Sequence, residues 1–185
     1  MPLRAPPATP GHGSHSVRRS VRIASIPPGA LVALPVMAES VSCRAEQSSS
    51  ANPAVVYDVL MDFARWSDWM PTVSAASSEL RGAPDTGVGG IRRVRVGPTV
   101  THDRIMEGTK PHHHAYAVTL PWYVPLKDYR GDVRIEDRPS GSLIVWTATC
   151  TPRIPGLRRL FQSNLQATYS RVAAALAREA ERIAS

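Results

Sequence analysis

Residues 129–137 read YRGDVRIED. Tyr129, Gly131, Val133 and Ile135 fall on one side of this stretch, and Arg130, Asp132, Arg134 and Glu136 on the other. Successive side chains of a strand point to opposite faces, so the alternation predicts a strand with one covered face and one wet face. Antiparallel sheets are built from such strands. What covers the apolar face must come from elsewhere in the chain.

The same pattern repeats outward from this stretch. Turn signals at GAPDTGVGG (82–90), EGTKP (107–111) and SGS (140–142) divide the middle of the chain into strands near 73–81, 88–96, 99–106, 113–120, 127–137 and 142–151. ESVSCRAEQ (39–47) alternates too, with Val41, Cys43 and Ala45 on one face. Between this strand and the rest, Asn52 is a good helix N-cap and Pro53 suits the first helical position. Val56, Val59, Leu60 and Phe63 recur at helical spacing. Trp66 and Trp69, on one face of a second short helix that Pro71 ends, read as packing onto the sheet.

The last segment, GLRRLFQSNLQATYSRVAAALAREAERIAS (156–185), supplies the cover. Leu157, Phe161, Leu165, Thr168, Val172, Leu176 and Ile183 form one stripe of a long amphipathic helix. The order is strand, two short helices, six strands, long helix. The predicted fold is α+β: a seven-stranded curved antiparallel sheet around the C-terminal helix.

Residues 1–36 stand apart. They hold seven of the 17 prolines and no periodic apolar pattern, which reads as a disordered Pro/Arg-rich extension before a domain at 37–185. The net charge is +7, but four arginines and no acid lie in this extension, which leaves 18 basic against 15 acidic residues, a net of +3, for the domain. That balance argues against a specific nucleic-acid surface. The run IASIPPGALVALPVMA (23–38) is shorter than a bilayer requires and carries three prolines, so no transmembrane segment is expected. The expected location is the cytoplasm, with export as the alternative if residues 1–38 act as a signal.

The stretches ANPAVVYDVLMDFARWSDWMP (51–71), GVGGIRRVRV (87–96), PLKDYRGDVRI (125–135) and WTATCTPRIPGLRRLF (146–161) resemble the START-like (SRPBCC) superfamily. The resemblance covers residues 37 to 183. It implies the helix-grip fold shared with the birch pollen allergen. Within that superfamily the chain is similar to the bacterial polyketide cyclase/dehydrase and lipid-transport group. The resemblance implies an internal cavity between sheet and C-terminal helix for an apolar or amphipathic small molecule. It implies no particular reaction, since such folds host carriers, cyclases and regulators.

Tyr116 and Tyr129 fall on inward positions and read either as cavity residues or as core tyrosines bonded to backbone. Arg92 shares a face with Val94. If that face is inward, Arg92 can bind a ligand carboxylate or pair with Asp103 or Glu107, which would be inward with Ile105; the opposite register sends all of them to water. Phe161 reads as an apolar wall. Asn164 and Thr168, four apart, read as polar anchors or as solvent-reaching residues at the stripe edge. His112, His113 and His114 cannot converge on one metal from a strand and read as surface residues at its start. No metal site and no cofactor are expected. Cys43 and Cys150 fit no metal or redox motif, and could pair only if their strands are neighbours. No nucleophile triad or phosphate loop is visible, so catalytic residues are not assigned. The expected function is binding of an apolar or amphipathic small molecule, with transport as an optional extension of it. The alternative is a cyclase or dehydratase acting through Tyr and Arg side chains.

Overall fold

The computed structural model describes residues 39–185; the expectations for residues 1–36 lie outside them. The strands are β1 (Val41–Ser49), β2 (Val73–Leu80), β3 (Ile91–Val96), β4 (Thr99–Thr109), β5 (His113–Thr119), β6 (Leu126–Arg138) and β7 (Gly141–Pro152). They form one antiparallel sheet in the order β1-β7-β6-β5-β4-β3-β2. After β1 come α1 (Pro53–Met61), a 3-10 turn at Phe63–Arg65 and α2 (Trp66–Trp69); α3 (Arg158–Ala184) closes the chain.

Local chemistry explains these boundaries. Asn52 Oδ1 accepts a hydrogen bond from Val55 N at 3.1 Å, and Pro53 follows it, as the sequence predicts for an N-terminus. Val133 and Ile135 are buried while Arg134 and Glu136 are exposed, so the alternation in β6 holds. Gly131 faces Tyr116 across β5–β6, and a Cβ there would lie 2.3 Å from the Tyr116 ring. Only glycine lets that ring lie flat over the neighbouring strand.

The α3 stripe differs from the predicted one in composition. Leu165, Tyr169, Val172, Leu176 and Ala180 are buried, with Ala173 and Ala177 beside them, while Leu157 and Ile183 are exposed. The alanines let the helix approach β1 and β7 closely. Both cysteines are buried free thiols. Their strands are neighbours, but Cys43 sits opposite Ala148 and Cys150 opposite Val41. Among the described residues no helix is long and apolar enough to cross a membrane.

Candidate functional site

A cavity of about 310 Å³ lies between the sheet and the middle of α3. Helix α3 contributes Thr168, Tyr169 and Val172 to it, and α2 contributes Trp66. The sheet supplies Val94, Tyr116, Val118, Tyr129 and Trp146, among others. Val96 lines it while remaining 38% exposed, so the cavity reaches the surface there.

Two polar groupings break the apolar wall. The first is a chain of aromatic donors. Trp146 Nε1 donates to the Tyr116 hydroxyl at 3.2 Å. That hydroxyl is 3.2 Å from the Tyr169 hydroxyl, to which Tyr129 donates at 2.7 Å. Burial pushes the Tyr116 phenol up to about 12 and also raises Tyr129 and Tyr169, so all three stay protonated at neutral pH.

The second grouping is a buried ion pair. Arg92 stands directly opposite Asp103 on β3–β4, with Arg92 Nη2 3.6 Å from Asp103 Oδ2. Asp103 also accepts from Thr101 Oγ1 at 3.2 Å. The guanidinium lies over the Trp66 ring at 4.5 Å and the Tyr116 ring at 5.2 Å, a cation held by ring faces. None of its nitrogens has a hydrogen-bond partner among the described residues. Burial lowers the Arg92 pKa and raises that of Asp103, and in each case the partner's charge opposes the shift.

Tyr116, Tyr129 and Thr168 therefore meet at the cavity. Arg92 is inward, as one of the two registers required, but it sits behind Trp66 and Tyr116, and Asp103 is the member of the pair that lines the cavity. Glu107 does not follow Asp103 inward. A β-bulge between Ile105 and Glu107 shifts the alternation, and Glu107 instead pairs outside with Arg130 at 2.7 Å. Asn164 is exposed, and Phe161 is half-buried against the core without lining the cavity. Both lie at least one turn before Thr168, beyond the part of α3 that faces the cavity.

Sequence reasoning missed Tyr169, although it lies four residues after Leu165 and three before Val172, squarely within the helical stripe. It also left Trp146 without a direction, because its strand carries no charge to mark a face. Trp66 packs inward as expected but lines the cavity as well. The histidines alternate: His113 bonds Asp132 at 2.9 Å, while His114 is wholly buried instead of on the surface. Burial holds His114 down to about 3, a neutral imidazole. Among the described residues, no three His, Cys, Asp or Glu side chains come together as a metal site would need.

The family described as polyketide cyclase / dehydrase and lipid transport matches residues 40–181. A comparison with curated proteins finds no match. Among solved structures, the di-domain aromatase/cyclase StfQ from the steffimycin biosynthetic pathway superposes with a TM-score of 0.65 at 16% identity, covering 78% of this chain and 52% of that one. This chain thus spans about half of StfQ. The Zhui aromatase/cyclase from a Streptomyces species gives 0.66 at 16% identity, covering 80% and 97%. A START superfamily protein from Mycobacterium smegmatis gives 0.65 at 15% identity, covering 78% and 98%. At these identities the likeness is one of fold.

Proposed function

The chain belongs to the polyketide cyclase/dehydrase and lipid transport family of the START-like superfamily, and from that premise we propose that it binds an apolar or amphipathic small molecule inside the sheet–helix cavity. The observation that carries this reading is the cavity of about 310 Å³, apolar over most of its wall and anchored by a few convergent hydroxyls. That is the usual make-up of a small-molecule site. Tyr116, Tyr129 and Thr168 are the proposed contacts, with Tyr169, Trp146 and Trp66 added to them. Arg92 acts through Asp103 and the rings it supports. The proposed location is the cytoplasm, with export as the alternative.

The test is binding of a fluorescent fatty acid, with native mass spectrometry of the purified protein for a co-purifying compound. Thr168→Trp should fill the cavity and abolish probe binding while leaving the fold intact. If the variant binds the probe as well as the parent does, or the parent binds neither probe nor compound, the reading fails.

A second reading is a cyclase or dehydratase. The feature that favours it is the phenol cluster, since aligned neutral donors are suited to a developing enolate oxygen. With their pKa values raised by burial, these phenols would serve as donors and not as bases. Turnover of a poly-keto substrate, lost in Tyr169→Phe, would select this reading over simple carriage.

A further inference from the structure

We propose that the linked donors Trp146, Tyr116, Tyr169 and Tyr129 always hold one proton more than they can use among themselves, so that the cavity selects ligands carrying a neutral acceptor oxygen, a ketone or an ester. This rests on the ligand-binding reading and specifies what the ligand must carry.

Each phenol brings one donor proton, and the indole N–H brings one and accepts none. The four groups are joined by three contacts: Trp146 to Tyr116 at 3.2 Å, Tyr116 to Tyr169 at 3.2 Å, and Tyr129 to Tyr169 at 2.7 Å. Each contact uses one proton. Four protons serve three contacts, and one remains whichever way the hydroxyls turn. The indole proton is committed to Tyr116, so the remaining one sits on a phenol. All four side chains line the cavity, and among the described residues their polar atoms have no other hydrogen-bond partner. A donor left unmet in an apolar wall is unfavourable, whereas an unfilled hydroxyl lone pair is tolerated more easily. The cavity therefore offers a donor that an acceptor atom of the ligand would satisfy.

The charges nearby decide what kind of acceptor. Asp103 lines the cavity, while Arg92 is not among the residues that do. A carboxylate ligand would meet the Asp103 carboxylate before it met the guanidinium, and like charges in such a wall repel. A neutral carbonyl oxygen accepts the spare proton without that penalty.

The experiment compares 2-acetylnaphthalene with 2-isopropylnaphthalene, which has the same number of heavy atoms and no acceptor, on the full chain. The infrared carbonyl band of the bound ketone should lie at lower wavenumber than in hexane. Tyr129→Phe removes one end of the chain of donors and leaves three protons for two contacts, so the shift should persist. Replacing Tyr116, Tyr129, Tyr169 and Trp146 together by Phe should abolish it. The ketone-to-hydrocarbon affinity ratio should then fall by about tenfold, the worth of one hydrogen bond. If both compounds bind but the band stays at its hexane position, the inference is wrong and the binding reading stands. Loss of the shift in Tyr129→Phe alone, or its survival in the fourfold variant, also overturns the inference. If neither compound binds, the cavity reading falls and takes this one with it.

Discussion

Gly131 and His114 show how much one residue can set next to Tyr116, which lines the cavity. Gly131→Ala would drive a methyl group into the Tyr116 ring, against which a Cβ has no room. Overpacking of this kind typically costs about 1–3 kcal/mol, and the expected result is a lowered urea midpoint together with weaker probe binding. His114 is wholly buried, and neither ring nitrogen has a partner among the described residues. Its pKa is about 3 in the folded chain against an ordinary 6.5, chiefly because burial disfavours the charged ring. The unfolded chain therefore takes up a proton that the folded chain refuses. Stability from this group is fully present above pH 6.5 and is lost as pH falls from there towards 3, at about 1.4 kcal/mol per unit. His114→Leu should sit within about 1 kcal/mol of the parent at pH 7, because an unpartnered polar group gives way to an apolar one. It should also flatten the acid loss between pH 6 and 4 in urea titrations; an unchanged pH slope would show that another group carries it. From the sequence, His114 is expected on the surface at a strand start, whereas it lies inside. Three adjacent histidines at a strand start look polar, yet the alternation that turns Tyr116 inward also turns His114 inward two residues earlier, opposite the buried Val133.

At the scale of elements, β1 is an edge strand, and its outer backbone groups would be free to pair with another chain. Helix α3 covers them. Gln166 donates to Arg44 O at 2.9 Å and accepts from Arg44 N at 3.2 Å. Gln162 makes the same two bonds to Ser42, and Glu181 accepts from Ser50 N at 2.9 Å. The helix is thus fastened to β1 by two side-chain amides that imitate a missing strand, and to the residue after it by a carboxylate. Gln166→Ala should expose the Arg44 amide, and hydrogen exchange there should quicken by about tenfold, the equivalent of one lost hydrogen bond. Exchange at the Arg44 amide no faster than in the parent would mean that the bond protects nothing. Elements themselves were legible because their signals are local: the Asn52–Pro53 start, the alternation of β6, the stripe of α3. The bulge at Ile105–Glu107 was not, since one extra residue in β4 reverses the faces without altering composition. The cavity was half legible for the same reason. Tyr116 and Tyr129 follow from alternation, whereas the bonds that join them to Tyr169 depend on where α3 crosses the sheet.

For the whole molecule, the charge distribution separates two regions that the sequence already distinguishes by proline content. Residues 1–36 carry four arginines and no acid, while the remainder carries a net of +3. Among the described residues, one core cluster runs from Val41 to Ala180. It joins the apolar stripe of α3 to β1, β6 and β7. Residues 1–36 are proline-rich and carry no periodic apolar pattern, so a chain starting at Met37 should unfold at nearly the same temperature as the full chain. For a domain of this size about 1 kcal/mol corresponds to roughly 2–4 °C, and a larger drop would show that the first 36 residues contribute packing. The same comparison separates the two sources of any affinity for polyanions. Attraction carried by the four N-terminal arginines should weaken steeply with salt and vanish on truncation, because it depends on released counterions. Binding of an uncharged ketone in the cavity should be indifferent to both. Heparin retention that survives truncation would place the anion-binding charge on the domain, and with it a role that neither the cavity nor the phenol cluster accounts for.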